Sequence, residues 1–339
     1  MVVTEQSVSD FSNLSALYLN LKRRFNWGAT VFDFRDYFAI DVALRDQIQR
    51  TTGANFFIQY PFNRFYRTDV SVGFLDQSQD FISFDPFSGT TSFIEFKDQF
   101  ATFGASITGD STRFQSFGPF QGKRFRIGVD YGLNTGGDFE GDYLQYRLDY
   151  RAYRQLSNRS LIAWRLSGIR NTGDRELFYG FGGINQLRGY EFREFVGSNL
   201  VWSNLELRFP LVDELRFPIG AIRQIRGFLF LDVGAAWLDE DEWYDPATRQ
   251  IRADFRTGSL TPLPFEFWDS DNDRLQDGRA SYGAGFQFFF LGGLQFNWIW
   301  AYRADYTQFL IDAGAFPGDP SATGALIRRE VSGGGLRSE

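Results

Sequence analysis

The chain has no cysteine and no histidine. The first absence excludes a disulfide framework and thiolate chemistry. The second removes serine-type triads, the usual zinc sites and the commonest general base. No catalytic constellation remains, so the expectation is a protein that is not an enzyme and uses no cofactor or metal. Apolar runs of helix-spanning length are also missing, and 23% of residues are charged, which excludes a helical membrane protein. With a net charge of −7 and a pI near 4.9, the chain lacks the basic surface that nucleic-acid binding needs. Its start, Met1-Val2-Val3-Thr4-Glu5-Gln6, has no positive n-region and no apolar h-region, so the chain as it stands shows no secretory signal.

Aromatic residues are what the sequence has in excess: 19% of the chain, with 40 Phe, alongside a negative mean hydropathy. Alternating lipid-facing and lumen-facing side chains in a membrane β-barrel account for both properties. Period-two patterning is the dominant signal. Leu144, Tyr146, Leu148, Tyr150 and Ala152 fall on one face, and Gln145, Arg147, Asp149 and Arg151 on the other. A helix would scatter these charges; a strand sorts them. The same sorting marks 124–131, 162–167, 204–209 and 294–302, with noisier segments at 11–22, 28–38, 53–61, 65–76, 80–96 and 99–109, and further strands expected at 224–238 and 279–290. That makes roughly thirteen strands, each near the length a tilted strand needs to cross a bilayer. A soluble β-sandwich also alternates, but its inner face is aliphatic. A propeller would show a blade-length repeat, and none is visible. The aromatic face favours a membrane barrel over both. Short turns are expected at 23–26, 60–64, 156–159 and 291–293, with long polar loops at 39–52, 109–121, 132–141, 171–198 and 238–279. Short turns on one side and long loops on the other are the habit of outer-membrane barrels.

One loop carries more information than the rest: Gly182-Gly183-Ile184-Asn185-Gln186-Leu187-Arg188-Gly189, closed by Tyr190. Parity places two carboxylates within its reach. If Leu205, Leu207 and Phe209 face lipid, Glu206 faces the lumen. If Leu229, Leu231, Val233 and Trp237 face lipid, so does Asp232 face inward. A one-residue slip would put both charges in hydrocarbon, at roughly 2–4 kcal/mol for a midplane charge. Gly189 permits a tight turn beside the arginine, and the guanidinium offers a planar fork for carboxylates. The expectation is a positional lock, with the loop 172–197 held inside the barrel. Other candidates are weaker. Asp269-Ser270-Asp271-Asn272-Asp273 begins like a calcium loop, but Arg274 and Ala280 stand where Gly and Glu belong. Asp239-Glu240-Asp241-Glu242 reads as a solvated acidic run. Trp27, Trp164, Trp237, Trp298 and Trp300 are candidates for interfacial girdles.

The segment 181–210 resembles the barrel of the BamA-like superfamily, also called the bacterial surface antigen family. Its signature is a (V/L)-R-G-(F/Y) tip on an extracellular loop that folds back into the lumen, here Leu187-Arg188-Gly189-Tyr190 after Gly182-Gly183. A second family motif, F-x-D-x-G, is matched by Phe230-Leu231-Asp232-Val233-Gly234, and Glu206 holds the place of the family's additional glutamate. Arg279 to Tyr302, with Gly283, Gly285 and Gly292-Gly293, is similar to the penultimate strands. The resemblance implies that Arg188 meets Asp232 and Glu206. It implies an all-β, antiparallel up-and-down transmembrane barrel of about 16 strands, of which about 13 are present. On this alignment the 339 residues form a single barrel domain truncated at both ends, with 328–339 a poor last strand. It further implies a bacterial outer-membrane location, contact with the lipid bilayer and lipopolysaccharide, and a role in inserting or translocating client outer-membrane or secreted proteins. The alternative is an anchor or passive pore for a missing amino-terminal propeller or lipase-like domain.

Overall fold

A computed structural model describes residues 13–304, apart from 40–45, 85–90, 116, 139, 176, 218–219, 238–264, 271–273, 276 and 291–293. The long strands are β1 (Leu14–Asn20), β2 (Asn26–Ala39), β3 (Asp46–Pro61), β4 (Tyr66–Phe84), β5 (Thr91–Asp110), β7 (Gly118–Gly137), β8 (Tyr143–Gln155), β9 (Leu161–Gly173), β12 (Asn199–Phe217), β13 (Gly220–Trp237), β16 (Arg279–Phe290) and β17 (Leu294–Arg303). They pair antiparallel in chain order. With the short β6 (Arg113–Gln115), which pairs β7 off this path, they form a 13-stranded sheet. Two small hairpins lie in connections: β10 (Tyr179–Phe181) with β11 (Phe195–Gly197), and β14 (Trp268–Asp269) with β15 (Arg274–Leu275). Among the described residues, β1 and β17 stand at the two ends of the order.

The expected total of thirteen holds, but its members differ. The segment 80–96 is not a strand of its own: Asp80 to Phe84 completes β4, and Thr91 to Phe96 begins β5. These strands run to 19 and 20 residues, about twice what a tilted strand needs to cross hydrocarbon. Alternation therefore continues past the bilayer, and dividing it by spanning length yields one strand too many. The connection 109–121 was also expected among the long loops. Tyr66 pairs Gly109, Gly122 pairs Tyr153 and Gln155 pairs Leu161, so this connection lies at the short-turn end. Strands also extend into three other expected loops, β2 and β3 into 39–52, β7 into 132–141 and β9 into 171–198.

The two faces separate as the sequence parity requires. Leu205, Leu207, Leu229, Leu231, Phe296, Trp298, Trp300 and Tyr302 are exposed, as are Val70, Val72 and Phe74 on β4. The opposite face, called inner below, is polar and crowded: Asp69, Gln77, Asp98, Ser106, Gln145, Asn171, Asp232 and Ser281 are buried there. A sheet that buries its charges and exposes its leucines and tryptophans is built for an apolar solvent. Of the proposed girdle residues, Trp164, Trp298 and Trp300 are exposed on the outer face.

Candidate functional site

The connection between β9 and β12, residues 174–198, folds onto the inner face. Its conformation is local in origin. Gly182 and Gly183 adopt φ of 124° and 92°, open to glycine without steric cost. The Gly182 N–H donates to Gln186 Oε1 at 2.9 Å, and the Leu187 N–H to Gly183 O at 3.0 Å. This turn drives Leu187 into a cluster with Phe181, Tyr190, Phe195, Leu200, Trp202 and Ala236. An apolar anchor thus holds the tip before any charge is considered.

Arg188 then has one place to go. Its Nε and Nη2 donate to the two oxygens of Asp232, each at 2.6 Å, and its backbone N–H also reaches Asp232 Oδ2 at 3.2 Å. Nη1 donates to Glu206 Oε1 at 2.6 Å. Asp232 is 0% exposed and Arg188 6%. Such a bidentate pair, short and screened from water, is the strong form of an ion pair. Burial works against the Arg188 charge, but the Asp232 and Glu206 carboxylates outweigh it and hold its pKa above the ordinary value. The Phe230 ring closes the remaining side, its centroid 3.8 Å from the guanidinium carbon. Phe230 belongs to the strand motif, and its parity already placed it beside Asp232.

All five residues expected to form the lock therefore come together. Gly189, at φ 87°, packs against β17: a Cβ there would lie 3.2 Å from that of Ala301. Tyr190 is buried, and its hydroxyl donates to Ala280 O at 3.2 Å. Gly234 sits under the cluster, where a Cβ would meet the Phe181 ring at 2.6 Å.

Sequence reasoning missed several partners. Asn204 Nδ2 donates to Gln186 O at 2.7 Å and Asp232 Oδ1 at 2.9 Å, and Arg208 donates to the second oxygen of Glu206 at 2.7 Å. Both share Glu206's parity, which was the available signal. Arg303, at the end of β17, donates to Gly189 O at 2.8 Å and Glu194 Oε2 at 3.1 Å, with its guanidinium over the Tyr190 ring. At the base of the loop, Arg175 donates through Nε (2.9 Å) and Nη2 (2.6 Å) to Asp98 Oδ2 on β5. Nothing in the sequence pointed to these two, because each joins the loop to a strand far away in the chain. The acidic run 239–242, the segment 271–273 of the calcium-like stretch, the turn 291–293 and the expected last strand at 328–339 lie outside the described residues.

The Omp85 superfamily domain matches residues 15–301. Among solved structures, BamA from Haemophilus ducreyi lacking POTRA domains 1–3 aligns with a TM-score of 0.62 at 16% identity, over 86% of this chain and 58% of that one. CdiB from Escherichia coli aligns at 0.49 and 12% identity, over 87% and 51%, and CdiB from Acinetobacter baumannii at 0.47 and 11%, over 86% and 50%. The chain thus spans little more than half the length of these structures. No curated protein sequence matches it.

Proposed function

The chain belongs to the Omp85 superfamily, a family of outer-membrane barrels, and from that premise we propose that it assists the insertion or translocation of client proteins at the bacterial outer membrane. The reading is non-enzymatic. The outer aromatic face contacts lipid and lipopolysaccharide, and the loop 174–198 occupies the lumen. The observation that carries the reading is the buried Arg188–Asp232–Glu206 cluster, which ties the loop to β12 and β13, with Arg303 adding β17. A loop fastened to the last described strands holds them in one arrangement. The seam between the first and last strands of the whole barrel then offers backbone donors and acceptors to an incoming client strand.

The test uses the full-length protein in liposomes, with folding of a small client barrel followed by its heat-modifiable mobility. Arg188→Ala and Asp232→Ala are expected to slow client insertion and to expose 174–198 to protease. Full insertion activity with an unchanged protease pattern in both variants would overturn the reading. A constant open pore with no client crosslink would favour the anchor or passive pore instead.

A further inference from the structure

The connection between β5 and β7 lies at the end of the sheet opposite the Arg188 loop, and it is more than a turn. The Ser111 N–H donates to Lys123 O at 2.8 Å, and the Lys123 N–H to Ser111 Oγ at 3.2 Å. Gly122, at φ 103°, crosses so close to this pair that a Cβ would lie 2.3 Å from Ser111 O. β6 then pairs the first residues of β7, which run past the last β7–β8 pair, Gly122 with Tyr153. The result is a folded hairpin, and it turns inward. Phe120, 4% exposed, packs on Leu161 and Ala163 of β9, with Phe117 and Tyr153 against them. Ala163 shares the parity of Arg165, and Tyr153 that of Arg151, so the contact is on the inner face. Phe117 meets Phe120 edge-on at 5.4 Å.

From β13, Arg226 reaches the same hairpin. Its guanidinium carbon lies 3.9 Å from the Phe117 ring centroid, and Nη2 donates to Arg159 O at 2.6 Å. Arg226 is 4% exposed, and the charges that act on it are the cations Arg208 and Arg159, themselves paired with Glu206 and Asp213. Among the described residues, no carboxylate pairs with it. A buried cation without an acid is costly unless something else solvates it. The ring face and the carbonyl do so here. Arg226 and the hairpin thus support one another through the Phe117 ring.

We propose that the hairpin of β6 and the first residues of β7 is a second inward-folded obstruction, pinned across the inner faces of β8, β9 and β13, that narrows the lumen from the end opposite the Arg188 loop. The proposal rests on the barrel reading above and adds a gate to it. Two obstructions along one lumen act as resistances in series. Removing either leaves the other limiting, and removing both releases the flow.

Conductance of the full-length protein in planar bilayers tests this, with heat-modifiable mobility as the check of folding. Phe117→Ala/Phe120→Ala, or Arg226→Gln, is expected to raise conductance little by itself and several-fold in an Arg188→Ala background. The absence of native cysteine supplies a second readout. Maleimide labelling of Ala163→Cys is expected to be slow beneath Phe120 and fast once Phe120→Ala is added. The proposal falls if the combined variant conducts no more than Arg188→Ala, or if Ala163→Cys labels equally fast with the hairpin intact. Raised conductance in the combined variant with undiminished client insertion by Arg188→Ala would remove the proposed function and leave the second obstruction standing.

Discussion

At the scale of single residues, Asp232 is the member of the site least able to change. It is fully buried, takes three donors from Arg188 and a fourth from Asn204, and has no water to fall back on. Deleting one side of a buried, hydrogen-bonded ion pair leaves the other side charged and unsolvated, at about 3–5 kcal/mol. Asp232→Ala is therefore expected to release the loop more completely than Glu206→Ala, because after loss of Glu206 the Asp232 carboxylate still takes Nε, Nη2 and the backbone N–H of Arg188. Limited proteolysis of 174–198 in the two variants checks the order. Gly189 has a different constraint. Its φ of 87° costs an L residue about 1–2 kcal/mol, and the added methyl presses on Ala301. Gly189→Ala is expected to weaken docking by at least that strain, read as a lower melting temperature of the loop-docked form. The placement of these residues was legible in advance. Parity on β12 and β13 turns Glu206 and Asp232 inward whatever the neighbouring strands do, and the resemblance of the loop tip implied that Arg188 meets them.

At the scale of elements, the loop has two anchors rather than one. Besides the Arg188 tip, its base is held by Arg175 on Asp98, both buried. Around that base, Leu177 packs on Phe100 and Tyr143, and Asn171 donates to the carbonyls of Leu177 and Ser198. The base thus spans from β9 back to β5, while the tip reaches forward to β17. Arg175→Ala is expected to loosen the arm carrying β10 and β11 while leaving Leu187 and Arg188 seated. Hydrogen exchange would show protection lost around 177–181 and 195–197 but kept at 187–190; loss at the tip as well would mean the two anchors act as one. This second anchor was invisible in the sequence. Asp98 and Arg175 lie 77 positions apart, and no local pattern links a carboxylate on one strand to an arginine just past the end of a strand three places along the sheet. The misplaced 109–121 connection has the same root: its length and polarity match those of the long loops, and only the strand order shows at which end it lies.

At the scale of the whole molecule, the sheet is inside out relative to a soluble protein, and the energetic consequence is specific. An arginine placed at Leu207 or Leu231, on the outer face, is expected to lower unfolding free energy in lipid by about 2–4 kcal/mol if the site lies near the midplane. An arginine at Ser71, which lines an inner cavity of about 410 Å³ beside Asp69 and Asp130, is expected to cost much less; equal losses at the two faces would contradict the assignment of lipid and lumen. By itself the sequence determined the period and the sorting of faces, because side chains alternate along a strand independently of what lies beside it; that one arginine meets the two inward acids was implied by the family resemblance of the loop tip. Only the tertiary structure decided where strands end, which turns share an edge, and which side chains meet across the lumen: Arg303 on Gly189, Arg175 on Asp98, Arg226 on Phe117. Those contacts depend on register and strand order, which are set by the summed hydrogen bonding of the whole sheet and leave no mark in any short stretch of chain.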